Sequence, residues 1–211
     1  MVISCIALSF ALEAGAATIT YTSSAAFFAA LGGSTVNTET YEGQVLNSII
    51  ADGSTVNGIT YNTFPVGTDG RIDNQYNKIG NQSLALSRPG NPAVDFFIPG
   101  EGMTVTFPFA VNAVGIFFNV GISPANSLQV VTAAGTAGNG AAYDQSTLFF
   151  VGLISDSLFS SATIQGLNNV TSGFNVDNLT YARAVPEPAS MVLLGTGLAA
   201  LAARRRRRPV R

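Results

Sequence analysis

The side chains that could do chemistry in this sequence are limited by the residue types that are missing. The sequence contains no His, and its single Cys is Cys5, close to the start. Ser-His-Asp and Cys-His nucleophilic systems, and most zinc sites, depend on these two residue types. The sequence therefore excludes such sites, and any catalysis or metal binding has to use carboxylates, carbonyls and hydroxyls.

Carboxylates are the remaining candidates for catalysis, and a glycoside hydrolase needs two of them at a defined separation. The acids available for such a pair are Asp52, Asp69, Asp73, Asp95, Glu101, Asp144 and Asp156. No motif pairs any two of them, and a scatter of this kind is typical of soluble domains. We therefore predict that the protein is not an enzyme. A secreted polysaccharide-degrading enzyme, either a glycoside hydrolase or a lyase, is the alternative.

Charge is distributed unevenly along the chain. Six of the ten basic residues lie at Arg204 to Arg208 and Arg211. Residues 18–185 keep four basic against ten acidic side chains, which gives this segment a net charge of −6. A mildly acidic segment without a basic patch does not neutralise phosphates, so the sequence predicts that nucleic acid is not a partner.

The first residues have the pattern of an export signal. Val2 to Leu12 is almost wholly apolar, and Ala14-Gly15-Ala16 fits an A-x-A cleavage site. We predict a signal peptide over residues 1–17, with a buried first helix as the alternative. A mature chain without Cys has no disulfides, so its stability has to come from its core.

Three features follow one another at the C-terminus: Pro186-Glu187-Pro188, an apolar run from Ala189 to Ala203, and a block of five arginines. The two prolines deny helix and keep their segment extended. The run carries no charge, so it predicts a transmembrane helix rather than an amphipathic core helix. Its apolar positions include Ala189, Met191, Val192, Leu193, Leu194, Leu198 and Leu201, and the basic block is Arg204, Arg205, Arg206, Arg207 and Arg208.

The length and flanking charge of this run set its place in a membrane. Its 15 residues span about 22 Å, less than the ~30 Å hydrocarbon core, and snorkelling arginines can bridge the difference. The arginines stay cytoplasmic by the positive-inside rule, which leaves the preceding domain outside the cytoplasm.

This ordered tail resembles the PEP-CTERM sorting signal of Gram-negative bacteria. The resemblance covers about Val185 to Arg208 and rests on Val185, Pro186, Glu187 and Pro188, the apolar helix and the arginines. It implies processing near that motif by an exosortase-type membrane enzyme. It also implies export, passage through the inner membrane, and a final place at the cell surface or outside the cell, in bacteria that often make extracellular polysaccharide. The same tail is also labelled an ice-binding protein C-terminal domain, which concerns the tail alone.

Alternating apolar residues between the two ends predict an all-β domain over residues 18–184, followed by the sorting segment 185–211. We predict a single jelly-roll-like antiparallel β-sandwich with one short helix at Ser24 to Leu31, and a small-residue loop at Gly135 to Ala142. The predicted strand segments lie around Ile59 and Tyr61, Leu84 and Leu86, Val94 to Ile98, Met103 to Phe109, Val114 to Val120, Leu128 to Val131, Leu148 to Ile154, and Ala162 to Ile164.

The middle region resembles β-sandwich domains found upstream of PEP-CTERM tails, some of which look like carbohydrate-binding modules. The resemblance rests on Tyr41-Glu42-Gly43, Phe149 to Gly152, and Gly173 to Leu179. In such modules a glutamate from the first strand and an aspartate from the last often meet at a structural calcium ion. The resemblance thus implies that Glu42 and Asp177 bind calcium, with backbone carbonyls or Asn178 completing the shell. The alternative is that Asp177 caps a turn and Glu42 is solvated.

The inward-facing positions change parity at Asp177-Asn178, which predicts a β-bulge there. For function, we predict a non-catalytic protein that contacts extracellular polysaccharide or biofilm matrix. A structural or adhesive surface-layer component without a discrete ligand is a further alternative. Because the chain has no Trp, sugar stacking would have to use Tyr61, Tyr76 or Tyr143.

Overall fold

The computed structural model describes residues 17–62, 64–75, 79–88, 96–143, 149–169 and 172–184. Within these ranges the chain forms one α-helix and otherwise β-strands. The strands are β1 (Thr18–Tyr21), β2 (Val36–Glu39), β3 (Ile49–Ile50), β4 (Thr55–Val56), β5 (Ile59–Asn62), β6 (Asp69–Asp73), β7 (Ser83–Ser87), β8 (Gly102–Val120), β9 (Leu128–Thr132), β10 (Gly135–Gly138), β11 (Phe149–Gly166) and β12 (Phe174–Ala182), and the helix is α1 (Ser24–Leu31). The predicted all-β antiparallel architecture is confirmed.

Two long antiparallel strands, β8 and β11, run through both layers of the molecule. The first half of β8 and the second half of β11 belong to one layer, together with β5, β4, β9 and β10. Their other halves belong to a second layer with β1 and β12, and β12 also pairs with β2 and β7. Strands β6 and β3 extend that layer beyond β7.

Each long strand changes the parity of its buried side chains as it passes from one layer to the other. In β8 the main core takes Met103, Val105, Phe107 and Val111 from one parity, and then Val114, Ile116 and Phe118 from the other. Residues 111–119 are all buried because Ala113 and Phe117 belong to a separate apolar cluster on the other side of the strand. In β11 the register shifts between Ile154 and Ser161. Because side chains alternate along a strand, such slips let both halves face one shared core, giving a sandwich-like fold.

Helix α1 packs on the outer side of the second layer. Ser23 caps it by accepting a hydrogen bond from Ala26 N at 3.3 Å, and the helix stops at Gly32, which has φ 57°. Phe27 is fully buried and lies against Phe150, with ring centroids 5.2 Å apart. The predicted helix is therefore confirmed, and its packing creates a second apolar cluster outside the main core.

Several local predictions need correction. The predicted loop at Gly135 to Ala142 begins with a strand, because β10 pairs with β9 as a hairpin and small residues are no obstacle to that pairing. The two segments predicted around Leu148 to Ile154 and Ala162 to Ile164 belong to the single strand β11. In the described part of Val94 to Ile98, Phe97 forms only an isolated bridge with Phe174.

The predicted signal peptide, apart from Ala17, lies outside the described residues, as does the predicted tail from Val185 to Arg211. Within the described ranges, none of the helical structure is long and apolar enough to cross a membrane.

Candidate functional site

Asp177 sits at a β-bulge in the last strand, as the parity change predicted. Asp177 pairs with Phe117, but the next register pair joins Thr180 to Gly115, so an extra residue is inserted in β12. Asn178 absorbs it with a left-handed backbone, at φ 49°. The Asn178 N–H donates to Asp177 Oδ1 at 2.6 Å. The bulge thus fixes one carboxylate oxygen of a fully buried side chain.

The other oxygen of the same carboxylate has no partner. Asp177 Oδ2 is buried without a hydrogen bond to any residue that the structure describes. Burial raises the pKa of Asp177 to about 7; the Asn178 hydrogen bond opposes that shift, and the charges of Glu42 and Glu39 add to it. A buried carboxylate oxygen without a partner is energetically unfavourable, so a proton or a cation bound there would stabilise the fold.

Glu42 lies in the loop after β2 and is held by the chain that enters β7. Its Oε1 accepts hydrogen bonds from Asn81 N at 2.6 Å and from Gln82 N at 3.0 Å, and these bonds lower its pKa. Gly80 has φ 58°, and a Cβ at this position would collide with Glu42 Oε1. The left-handed glycine therefore leaves the space in which the carboxylate sits.

Glu39 is a third carboxylate of the same region, and sequence reasoning missed it. It is 7% exposed; its Oε1 accepts from Tyr41 N at 2.8 Å and its Oε2 from Asn57 Nδ2 at 2.6 Å. Burial and then the Glu39 charge raise the pKa of Tyr181. The available sequence signal was its place at the end of a strand, three residues before Glu42.

After burial itself, the charges of Glu42 and Glu39 add to the rise in the pKa of Asp177, so the three carboxylates lie in one region. None of Glu39, Glu42 and Asp177 forms an ion pair with a residue in the described ranges, and the Arg88–Glu101 ion pair lies elsewhere. Carboxylate and amide oxygens are ligands that calcium prefers, and such an ion would offset the mutual repulsion. The donor types therefore suit calcium, and Asp177 Oδ2 and Glu42 are the side-chain groups that would hold it.

The shell is incomplete in this conformation. Across the described part of the chain, no group of three or more His, Cys, Asp or Glu side chains is close enough to hold a metal ion. Calcium takes six to eight oxygens, so backbone carbonyls and amide oxygens would have to supply the rest. Asn178, the amide expected from the sequence, is half-buried beside Asp177.

A second orphaned oxygen lies two residues before Asp177 on the same strand. Asn175 Nδ2 makes long contacts to Gln75 O at 3.3 Å and to Asp73 Oδ2 and Ser83 Oγ at 3.4 Å each, while its Oδ1 has no hydrogen-bond partner among the described residues. On the adjacent strand, both amide atoms of the paired Asn119 are likewise without a partner in the described part of the chain. The buried polar surroundings of Asp177 thus contain further oxygen donors that the sequence did not indicate.

The tyrosines considered for sugar stacking are not available for it where the structure describes them. Tyr61 is fully buried, its hydroxyl donating to Tyr41 at 3.5 Å, and Tyr143 is 5% exposed. Tyr76 lies outside the described residues. Among described aromatic residues the most exposed rings are those of Phe28 and Phe109, at 41% and 44%.

Four of the five described acids considered for catalysis accept hydrogen bonds from backbone N–H groups, and the fifth, Asp156, is exposed. Asp69 accepts from Asp52 N at 3.1 Å, and Asp73 accepts from Gln75 N at 3.0 Å. Glu101 pairs with Arg88 and accepts from Ile98 N at 2.8 Å. Asp95 and Asp144 lie outside the described residues.

Comparison with known proteins identifies the class of sorting signal at the C-terminus. Residues 184–208 match the model of the PEP-CTERM protein-sorting motif, so the chain carries a PEP-CTERM sorting tail behind its β-sandwich domain. Such a tail implies an exported protein. No curated protein matches the chain.

Two solved structures are similar to the β domain. A family 29 carbohydrate-binding module from Piromyces equi is 10% identical, with a TM-score of 0.38, covering 72% of this chain and 91% of that one. The CBM22-1 xylan-binding domain from Paenibacillus barcinonensis is 15% identical, with a TM-score of 0.38, covering 66% and 97% respectively.

Proposed function

We propose that this protein is a non-catalytic component of the bacterial exterior. In this proposal it is exported, anchored in the inner membrane for a time, processed at its tail, and then placed at the cell surface or released into the polysaccharide matrix. The observation that carries the proposal is the sorting motif at residues 184–208, directly after the last strand of a β domain. Residues 1–17 act as the signal peptide, 18–184 as the working domain and 185–211 as the sorting segment.

Within the sorting segment each part has a separate role. Val185, Pro186, Glu187 and Pro188 are the motif that the exosortase-type enzyme recognises, with Glu187 as its charged contact between two prolines. The apolar run from Ala189 holds the chain in the membrane. The arginines from Arg204 to Arg208 keep the far end on the cytoplasmic side.

The test is mass spectrometry of the mature ends after fractionation of the native host. We expect one new terminus near Ala16 and another near Pro186, in protein recovered from the surface or the medium. Glu187→Gln should leave the full tail attached in the membrane fraction, whereas Asp156→Asn, which changes an exposed acid of the domain, should be processed normally. An extracellular protein with an intact C-terminus through Arg211 would contradict the proposal.

A structural calcium ion is the second part of the proposal, and the orphaned Asp177 Oδ2 supports it. Calcium bound by Asp177 and Glu42 would join the last strand to the loop after β2, and so stabilise the domain outside the cell. Isothermal titration of the full-length chain in mild detergent with calcium should give a saturable heat. The absence of a binding heat would contradict the calcium part of the proposal and would not affect the sorting part.

Polysaccharide is the partner that we propose for the exported domain. Four of the described candidate acids, Asp52, Asp69, Asp73 and Glu101, are engaged by backbone N–H groups, which favours association over hydrolysis. Incubation of the full-length chain with polysaccharides should give binding without release of reducing ends. Turnover that is lost when one acid is changed to its amide would favour the enzyme instead.

A further inference from the structure

The outer surface of the first layer is an array of hydroxyl and amide side chains. In β5, β8, β9, β10 and β11 the core-facing residues alternate with outward-facing ones, such as Tyr61 with Thr60 and Met103 with Thr104. We call the outward set the hydroxyl–amide face. It consists of Thr55, Thr60, Asn62, Thr104, Thr106, Gln129, Thr136, Ser161, Thr163 and Gln165, with Val131 as an apolar member between Thr163 and Thr136, all half-buried or exposed.

Strand register places these side chains in rows across the layer. One row joins Thr60, Thr106 and Ser161, which are direct partners on β5, β8 and β11. The next joins Asn62 and Thr104 to Thr163 in the same way. Neighbouring strands lie about 4.8 Å apart and outward residues repeat about every 6.7 Å along a strand, so the polar groups form a regular grid.

Hydrogen bonds between the side chains hold this grid in place. Thr104 and Thr163 hydroxyls are 3.0 Å apart, and those of Thr55 and Thr60 are 2.8 Å apart. Asn62 Nδ2 donates to Thr106 Oγ1 at 3.3 Å, and Gln165 Nε2 donates to Gln129 Oε1 at 3.3 Å. A hydroxyl has one proton and two lone pairs, so each keeps capacity for an outside partner while its orientation is fixed.

The composition of the hydroxyl–amide face restricts which kind of polymer could bind to it. It contains no charged and no aromatic side chain, so it offers no ion pairing to a charged polymer and no ring for stacking. Many weak, regularly spaced hydrogen bonds suit a repeating polymer whose repeats engage together. We propose that the hydroxyl–amide face binds the hydroxyl groups of an extended, neutral polysaccharide. The inference rests on the proposed function and names the surface and the class of polymer.

The test compares polysaccharide binding by variants that lose threonine hydroxyls in two different places. Thr104→Val with Thr163→Val removes two hydroxyls from the centre of the face and keeps the β-branched shape. Thr38→Val removes an exposed hydroxyl from β2, where Thr38 and Thr180 hydroxyls are 3.2 Å apart in the other layer. Full-length chains in mild detergent are mixed with microcrystalline cellulose, chitin, neutral xylan and anionic alginate, and depletion or co-migration is measured.

We expect the unchanged chain to bind at least one neutral polymer and not alginate. The Thr104/Thr163 double variant should bind it about tenfold more weakly, and Thr38→Val within about twofold of the unchanged chain. If the double variant does not fold by circular dichroism, Gln129→Ala with Gln165→Ala on the rim takes its place. Binding unaffected by both variants, or equal binding to alginate, would overturn this inference alone. Binding to none of the polymers would overturn the polysaccharide part of the proposed function.

Discussion

Asp177 in the last strand and Glu42 in the loop after β2 are electrostatically coupled: burial raises the pKa of Asp177 most, and the charge of Glu42 adds to that rise. The two carboxylates are brought together because the last strand runs through the middle of its layer, between β8 on one side and β2 and β7 on the other. Their mutual repulsion is the reason to expect that calcium and pH act on this domain at one place.

Calcium should raise the melting temperature of the full-length chain through Asp177 and Glu42. A ligand present at 100 times its Kd stabilises the folded state by about 2.7 kcal/mol. Asp177→Asn and Glu42→Gln should each abolish most of that gain, while Asp156→Asn should keep it. Differential scanning calorimetry with calcium, with magnesium and with chelator provides the measurement. A calcium gain that survives in Asp177→Asn would place the ion elsewhere.

In the presence of chelator the domain should lose stability as the pH rises. The pKa of Asp177 is about 7 in the folded chain against 3.8 as its ordinary value, so the folded state binds the proton more tightly. The stability contributed by that proton is fully present below about pH 4 and is lost as the pH rises through about 7. The change amounts to at most about 4 kcal/mol.

Urea denaturation at a series of pH values measures this loss, and Asp177→Asn is its matched control. The amide cannot ionise, so the variant should show a flatter profile and exceed the unchanged chain in stability at pH 8 without calcium. A profile that is the same in both chains would show that Asp177 does not titrate as expected.

Gly80→Ala should weaken calcium binding more than a comparable glycine substitution. Gly80 and Gly67 both have left-handed backbones, with φ 58° and 77°, but only a Cβ at residue 80 meets Glu42. Gly67→Ala should therefore lose about 1 kcal/mol from backbone strain alone. Gly80→Ala should show that loss and a reduced calcium affinity by isothermal titration. Equal calcium affinity in the two variants would mean that Glu42 is not a ligand.

The docking of α1 should depend on one of its two adjacent phenylalanines. Phe27 is fully buried against Phe150, whereas Phe28 is 41% exposed. Phe27→Ala should reduce the free energy of unfolding by about 3–5 kcal/mol, and Phe28→Ala by less than about 1 kcal/mol. Urea denaturation monitored by circular dichroism gives both values. Similar losses would indicate that the helix packs differently.

The features that could be predicted from sequence are those with a local cause. Alternation identified the strands around Met103, Val114 and Leu84, and the short helix predicted at Ser24 to Leu31 is α1, which Ser23 caps and Gly32 ends in the structure. The bulge at Asp177 was visible because a parity change needs an inserted residue. The sorting tail was readable for the same reason, since its three parts follow one another in the chain.

The features that could not be predicted from the sequence depend on the register between strands that are distant in the chain. Glu39 looks like any charged strand end until Asn57 and Tyr41 are placed beside it. The burial of Tyr61 and Tyr143 likewise follows from the second layer that covers them. The hydroxyl–amide face requires the pairing of β5, β8 and β11, because isolated Thr and Ser residues in strands carry no sign of which neighbours they meet.

The strands that β1 and β12 each pair with also determine how the domain responds to mechanical tension. The chain leaves β12 directly for the tail, so tension applied through the tail acts on a strand hydrogen-bonded along both of its edges. Pulled along its length, β12 resists in shear, with many bonds strained at once. Within the described residues β1 pairs only with β11, so a pull across its edge would peel it off one bond after another. The domain thus resists tension unequally at its two ends, and the more resistant end is the one that leads into the sorting tail.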